Sequence, residues 1–183
     1  MSAVTFKETA KSETVSIGCK APDFTLRTDR GEKWNLFDNI GSVTVLLFYP
    51  QNETMVCTRQ LCSLRENWHQ YLDTKATIVG ISPGSPAGNR LFSEKLSLPI
   101  TLLADPDRKV TKYYGKHWLY PISFTRAVVV IDSRGIVRNS DIMLRAFRPS
   151  DANLITDIYA ARGDELHDTI DNLRKRAATA INK

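Results

Sequence analysis

Cys57 and Thr54 stand one helical turn apart, where an apolar run gives way to a stretch with helical spacing. The apolar run Val43–Tyr49 predicts a strand buried on both faces, and Pro50 follows it directly. A helix N-terminus offers unpaired N–H groups and a positive dipole end, which favour a thiolate over a thiol. The spacing therefore indicates a reactive thiolate at Cys57, with the Thr54 hydroxyl near the sulfur or a bound oxygen atom. The alternative is that Cys57 only packs and Thr54 only caps the helix.

Cys19 and Cys62 are the other two thiols of the chain. A secreted disulfide scaffold has more cysteines than these three and usually an even number of them. The cysteine content therefore favours a reducing compartment. The C-x4-C spacing of Cys57 and Cys62 is not the C-x-x-C of a thioredoxin-type oxidoreductase, and it lacks the second pair of a zinc site. We expect no metal and no cofactor, and we expect Cys19 to be a semi-buried thiol without a role. The histidines are scattered singly and are expected at surface or packing positions: His69, His117 and His167.

The elements that must position these residues alternate between strands and helices. A short hairpin is expected from Asp23–Leu26 and Lys33–Asn35. Further strands are predicted at Val43–Tyr49, Ala76–Ser82, Ile100–Ala104 and Ala127–Ile131, the last turning into Ile136–Asn139. Helices are predicted from Cys57 onward, at Pro86–Leu96, at Arg108–Tyr114, and after the caps Ser150 and Asp164. This order predicts one α/β domain built on a mixed sheet.

Apolar spacing assigns the buried faces of three of these helices. The first has one stripe formed by Leu61, Leu64, Trp68, Tyr71 and Leu72. The second, ended by Gly163, carries Leu154, Ile155, Ile158 and Tyr159, and the third carries Leu166, Ile170, Leu173 and Ala177.

Charge and hydropathy exclude several classes of partner. The chain has 25 Lys and Arg against 20 Asp and Glu, a formal charge of +5, but the excess forms no basic stripe with interleaved aromatics. Nucleic-acid binding is therefore not expected. No apolar run approaches the roughly 18 residues of a membrane helix, and the polar first 16 residues do not resemble a signal peptide. These observations predict a cytoplasmic protein.

Between about Gly18 and Gly135, the sequence resembles the peroxiredoxin family, in particular its bacterioferritin-comigratory or Q-type branch. Pro50, Thr54 and Cys57 reproduce the P-x-x-x-T-x-x-C motif of that family. Cys62 stands where the Q-type branch has its resolving cysteine, and Arg126 stands where the family has an arginine at its active site. Two features depart from the branch: Met55-Val56 replaces Pro-Gly, and the segment from about residue 141 is longer.

The resemblance implies a thioredoxin-like fold with helices on both faces of the sheet. The residue pattern itself predicts a tail or a loosely held edge segment over residues 1–17, which lack periodicity, and one domain over residues 18–183 with an extended helical C-terminus from about 141. As a monomer or homodimer, the protein would reduce hydrogen peroxide or organic hydroperoxides at Cys57. The resulting sulfenic acid would form a disulfide with Cys62, and a thioredoxin-like dithiol would reduce that disulfide.

The resemblance also implies a role for each remaining site residue. A lower cysteine pKa cannot by itself explain a fast reaction. Lowering any cysteine pKa from about 8.5 to 6 raises the thiolate fraction about thirtyfold at pH 7, but the nucleophilicity of each thiolate falls about tenfold. Ionisation alone therefore raises the rate only about two- to threefold. Most of the acceleration must come from holding the peroxide in line and stabilising the departing oxygen. Arg126, the Thr54 hydroxyl and the Cys57 N–H would supply that cradle, and Pro50 would shield the sulfur from water.

Helix geometry adds one constraint on the disulfide. Five residues along an α-helix separate two Cα atoms by about 8.7 Å, whereas a disulfide needs less than about 7 Å. We therefore expect oxidation to unwind the turn from Cys57 to Cys62. The alternative function is a redox-responsive sensor or chaperone-like binding protein on the same fold, suggested by Met55-Val56 and the long C-terminal segment.

Overall fold

The chain forms a seven-stranded mixed sheet in the computed structural model, which describes residues 15–115, 125–144 and 150–163. The strands are β1 (Thr25–Thr28), β2 (Lys33–Asn35), β3 (Thr44–Phe48), β4 (Thr77–Ser82), β5 (Thr101–Ala104), β6 (Thr125–Ile131) and β7 (Val137–Leu144). Their spatial order is β2-β1-β5-β4-β3-β6-β7. The central strands β3, β4 and β5 are parallel, and the outer strands pair antiparallel. The mixed sheet and both predicted hairpins are confirmed.

Five α-helices accompany the sheet within the described residues. They are α1 (Met55–Glu66), α2 (Trp68–Thr74), α3 (Pro86–Leu96), α4 (Lys109–Tyr114) and α5 (151–163), with a 3-10 turn at Phe37–Asn39. None of these helices is long and apolar enough to cross a membrane. The predicted cap of α5 is confirmed, because Ser150 Oγ accepts from the Asn153 N–H at 3.1 Å.

The core has two layers because β3 is buried on both faces. Val45 and Leu47 point into one cluster, which also contains residues of α1, α2, α3 and α5. Leu46 and Phe48 point into the other cluster, which contains residues of α4 and β1. Helices therefore lie on both faces of the sheet, and β3 holds the residues that follow it in a fixed position.

Two helix predictions are corrected. The single stripe predicted from Leu61 to Leu72 is divided between two helices that break at Asn67, whose N–H donates to the carbonyls of Arg65 and Ser63. The break turns Leu72 outward, where it is 58% exposed. Tyr159 of α5 is likewise exposed rather than on the buried face, because the core contacts of α5 are made by Leu154, Ile158 and Ala161.

Other predictions lie outside the described residues: the helix after Asp164, His117, His167 and most of the N-terminal tail.

Cys19 is described and is exposed, not semi-buried as predicted. Its backbone makes the contacts of this turn, because its N–H donates to Ser16 and its carbonyl accepts from Val137. His69 is exposed on α2, as a surface histidine is expected to be.

Candidate active site

Sheet pairing brings the start of α1 next to β6. Strand β3 ends at Phe48, and residues 49–54 connect it to α1 at the carboxyl end of the parallel strands. Phe48 pairs with Ala127 of the antiparallel neighbour β6, so Arg126 lies beside this connection. Sites in open α/β sheets form at this edge.

The sulfur of Cys57 is buried against the guanidinium of Arg126. Arg126 Nη2 donates to Cys57 Sγ at 2.9 Å, and Nη1 donates to Gln60 Oε1 at 2.5 Å. The exposed fraction is 0% for Cys57 and 1% for Arg126. Burying a guanidinium is costly unless its donors are satisfied, and these contacts fix the plane of the fork at the sulfur. Arg126 is therefore not a solvated surface residue, and it lies within β6, which begins one residue before it and two residues before the predicted strand start at Ala127.

Thr54 is the N-cap of α1, which begins at Met55, two residues before the predicted start at Cys57. Its φ of −73° and ψ of 146° are extended, and its Oγ1 accepts from the Cys57 N–H at 3.4 Å. This hydrogen bond is long, hence weak. The hydroxyl and the N–H that were predicted to line the cradle are therefore neighbours. The hydroxyl keeps its own proton and a second lone pair, whereas the N–H would have to exchange its long bond to Thr54 for one to a bound oxygen.

Pro50 is buried at the end of β3. Its carbonyl accepts a long hydrogen bond of 3.5 Å from Arg108 Nη2. Arg108 has a φ of 53°, and Glu53 in the same connection has a φ of 60°, both in the left-handed region that disfavours residues with a Cβ. The exposed pair of Lys95 and Glu53, 3.1 Å apart, links the connection to α3. The connection is thus held at several points around Cys57.

Tyr49 contributes an uncharged group to the same region. Burial raises the pKa of its phenol well above the usual range, and the charge of the nearby Cys57 acts in the same direction. The Tyr49 hydroxyl therefore stays protonated at physiological pH.

Cys62 lies on the same uninterrupted helix as Cys57, two turns from the N-cap, and both thiols are free. It is half-buried and packs against the core cluster that contains Cys57. The helical spacing keeps the two Cα atoms about 8.7 Å apart. The two sulfurs are therefore not positioned for a bond in this conformation.

The structure brings together Thr54, Cys57 and Arg126, with Pro50 at the end of the preceding strand and Cys62 farther along α1. Sequence reasoning missed Gln60. Its position three residues after Cys57, on the same helix face, was the signal that could have identified it. Within the described ranges, no group of three His, Cys, Asp or Glu side chains could hold a metal ion.

Comparison with known proteins gives consistent matches. The AhpC/TSA family matches residues 17–140. The chain is 35% identical over 131 residues to "Peroxiredoxin Bcp" of Bacillus subtilis, which covers 67% of this chain and 82% of that protein. It is 37% identical over 125 residues to "Peroxiredoxin Q, chloroplastic" of Triticum aestivum, covering 68% of this chain and 58% of the relative. The matched segment thus spans a little over half of the wheat protein.

A solved structure is similar to the whole fold. The crystal structure of the reduced 2-Cys peroxiredoxin of Plasmodium vivax matches with a TM-score of 0.73 and 24% identity. The match covers 83% of this chain and 84% of that one. Peroxiredoxins have a thioredoxin-like fold, so the fold class expected from the sequence is confirmed.

Proposed function

Because the chain belongs to the AhpC/TSA family of peroxiredoxins, antioxidant thiol peroxidases, we propose that Cys57 is the residue that reduces the peroxide. The observation that carries this proposal is the buried contact between Arg126 Nη2 and Cys57 Sγ at 2.9 Å. A permanent positive charge at a buried sulfur favours the thiolate and lies where the oxygens of a bound peroxide must pass.

In the first step, the Cys57 thiolate attacks the nearer oxygen of a hydroperoxide. The S–O bond forms as the O–O bond breaks, and the electron pair leaves with the far oxygen, which takes up a proton to become water or an alcohol. Cys57 is oxidised by two electrons to the sulfenic acid. Arg126 and the N–H of Cys57 donate to the peroxide oxygens, Thr54 Oγ1 accepts a hydrogen bond from the peroxide O–H, and buried Pro50 excludes water. The proton of the attacked oxygen stays on the sulfenic acid, and the departing oxygen takes its proton from solvent.

In the second step, the Cys62 thiolate attacks the sulfenic sulfur of Cys57. The S–S bond forms, the S–O bond breaks, and the hydroxyl leaves as water with one proton. The helical separation of about 8.7 Å exceeds the roughly 7 Å limit for a disulfide, so the turn between the two cysteines unwinds.

In the third step, a thioredoxin-like dithiol reduces the Cys57–Cys62 disulfide and becomes a disulfide itself. Dithiol reductants of this kind are kept reduced in reducing compartments. We therefore propose that the protein works in the cytoplasm. Rewinding of α1 then restores the contact between Cys57 and Arg126.

The proposal is tested by peroxide consumption coupled to thioredoxin reduction. We expect turnover in the wild type and none in Cys57→Ser. The proposed mechanism requires a thiolate beside the Arg126 guanidinium, and the serine variant has no sulfur at that position. Cys62→Ser should accumulate the sulfenic acid and lose thioredoxin-supported cycling. Cys19→Ser is the matched control and should be fully active, since Cys19 is an exposed thiol in a distant turn.

Full activity of Cys57→Ser would contradict the assignment of Cys57. Disulfide-linked cycling in Cys62→Ser would contradict the assignment of the resolving cysteine. Stopped-flow oxidation of Cys57 no faster than that of a free thiol would instead favour the redox sensor.

A further inference from the structure

The carboxylate of Asp151 joins α5 to the end of α1 and to α2. Asp151 is the first residue of α5. Its oxygens accept hydrogen bonds from Ser63 Oγ, from Asn67 Nδ2 at 3.2 Å and from the Tyr71 hydroxyl at 2.6 Å. The three donors belong to three successive parts of the helix pair: the end of α1, the break and α2.

Helix α1 is consequently held at its two ends by different parts of the fold. The N-terminal half, with Cys57 and Gln60, is bound to Arg126 of β6. The C-terminal half is bound to Asp151 through Ser63, and Arg65 Nη1 donates to the Leu96 carbonyl of α3 at 2.7 Å. The division falls between Cys62 and Ser63.

We propose that Asp151 is a positioning residue that confines the unwinding of α1 to the turn between the two cysteines. This inference rests on the disulfide step of the proposed function. The contacts of Asp151 begin at the residue directly after Cys62, so the turn can open without breaking any of them. Unwinding that extended past Ser63 would lose those hydrogen bonds, and bonds to a carboxylate are among the stronger ones.

Confinement is useful to the reaction because it limits the motion of Cys62. Cys62 stays attached to a fixed segment, so its thiol remains at high effective concentration near the sulfenic acid. Unwinding that continued past Ser63 would lose this advantage.

The experiment compares the full-length wild type with Asp151→Asn by amide hydrogen exchange, before and after one equivalent of hydrogen peroxide. In the oxidised wild type, we expect loss of protection to end at Glu66 and to leave α2 protected. The N–H groups of residues 63–66 lose their acceptors in the unwound turn, whereas the Asn67 N–H keeps its bond to the Ser63 carbonyl. In oxidised Asp151→Asn, the loss should extend through α2, with exchange about tenfold faster there. In the reduced proteins, α2 should differ much less, because intact α1 still packs against it. A general loss of stability would affect both redox states alike.

Rapid-mixing kinetics provides the second measurement. Formation of the sulfenic acid should be unchanged in Asp151→Asn, since Cys57 and Arg126 belong to the other half of α1. Disulfide formation should slow about threefold or more as the effective concentration of Cys62 falls. Ser63→Ala removes one of the three donors and should show the same pattern more weakly, which keeps the test available if Asp151→Asn does not fold.

Ser150→Ala is the matched control, because it removes the cap of the same helix without touching the Asp151 contacts. It should leave both the exchange boundary and the disulfide rate unchanged. An unchanged boundary in oxidised Asp151→Asn, or an undiminished disulfide rate, would overturn the inference while the proposed peroxidase remained. Absence of a Cys57–Cys62 disulfide in the wild type would overturn the disulfide mechanism and the inference with it.

Discussion

At the scale of single residues, the candidate site pairs its arginine with an uncharged neighbour. Gln60 accepts from Arg126 through a neutral amide oxygen, and the other Nη atom faces the sulfur. A neutral acceptor orients the guanidinium without cancelling its charge. In the proposed mechanism, this contact leaves the guanidinium charge available to the Cys57 sulfur and to the departing oxygen of the peroxide.

Gln60→Glu tests the value of that neutrality. A carboxylate at the same position would pair with Arg126 and weaken its stabilisation of the departing oxygen. We expect kcat/KM for hydrogen peroxide to fall by about tenfold to a hundredfold. Gln60→Met, of similar length but without charge or amide, separates loss of orientation from loss of charge. Unchanged kcat/KM in Gln60→Glu would show that the charge of Arg126 is not used.

Thr54 caps α1 and, in the proposed mechanism, also forms part of the peroxide cradle. Thr54→Val removes the acceptor for the Cys57 N–H and should lower the free energy of unfolding by about 1 kcal/mol, with a loss of peroxidase activity. Thr54→Ser keeps the hydroxyl and should retain both properties. Urea unfolding and initial rates measure the two effects, and full activity of Thr54→Val would exclude a catalytic hydroxyl.

Several site residues could be predicted from their spacing. Thr54 and Cys57 follow a buried strand at motif distance, and the family resemblance identified Arg126. Gln60 is marked only by its position three residues after Cys57 on the same helix face, and Asp151 carries no signal in the sequence. The role of Gln60 depends on a strand 66 residues away in sequence, and Asp151 lies 88 residues from Ser63.

At the scale of elements, the proposed mechanism requires an α1 that is stable enough to hold Cys57 and weak enough to open. Met55 at its first position is 68% exposed, and Val56 is partly buried. A β-branched residue in the first turn has a lower helix propensity than Ala and a higher one than Gly. We therefore expect substitution at Val56 to change how easily α1 opens while the contact between Cys57 and Arg126 is kept.

Val56→Gly should make α1 easier to unwind than Val56→Ala. The difference in helix propensity is about 1 kcal/mol, equivalent to about a fivefold larger open population. If unwinding limits disulfide formation, that step should accelerate by a similar factor, as measured by tryptophan fluorescence after a peroxide pulse. Equal rates in the two variants would show that unwinding does not limit the reaction.

The break between α1 and α2 illustrates what periodicity cannot predict. The apolar spacing continues through Asn67 without interruption, so it predicts one helix. The break arises because the Asn67 side chain bonds to the Ser63 carbonyl and to Asp151, contacts that compete with regular helix geometry. The strands were predicted more accurately, since buried β-branched runs have few alternatives.

At the scale of the whole molecule, the turn between β6 and β7 is stabilised by a buried carboxylate. Asp132 accepts from the N–H groups of Arg134 and Ile136 and from Nε of Arg138, each at 2.9 Å. Burial alone would raise the pKa of this carboxyl, but the bonds from Ile136, Arg138 and Arg134 outweigh it and hold the pKa below the usual range. The carboxylate thus supports the hairpin that carries Arg126.

Stability should therefore depend on pH through Asp132. Because the pKa of Asp132 is lower in the folded state than in the unfolded state, its ionised form stabilises the fold. This stabilisation is fully present above the unfolded pKa of about 3.9, and it is lost as the pH falls through the folded pKa. Asp132→Asn should be less stable than wild type at pH 7, and the difference should shrink below about pH 4. Urea unfolding at pH 7 and pH 3 measures both, and a pH-independent difference would contradict the role of the charge. Asp38→Asn, at an exposed position, is the control.

The partner of the Cys57 sulfur is encoded 69 residues after it. A ribosome adds about 5 to 20 residues per second, so several seconds separate the synthesis of these two residues. Throughout that interval the emerging polypeptide contains Cys57 without its guanidinium partner. On the proposed mechanism, the nascent chain therefore gains peroxidase activity only when β6 pairs with β3, and a chain released earlier would contain Cys57 without that activity.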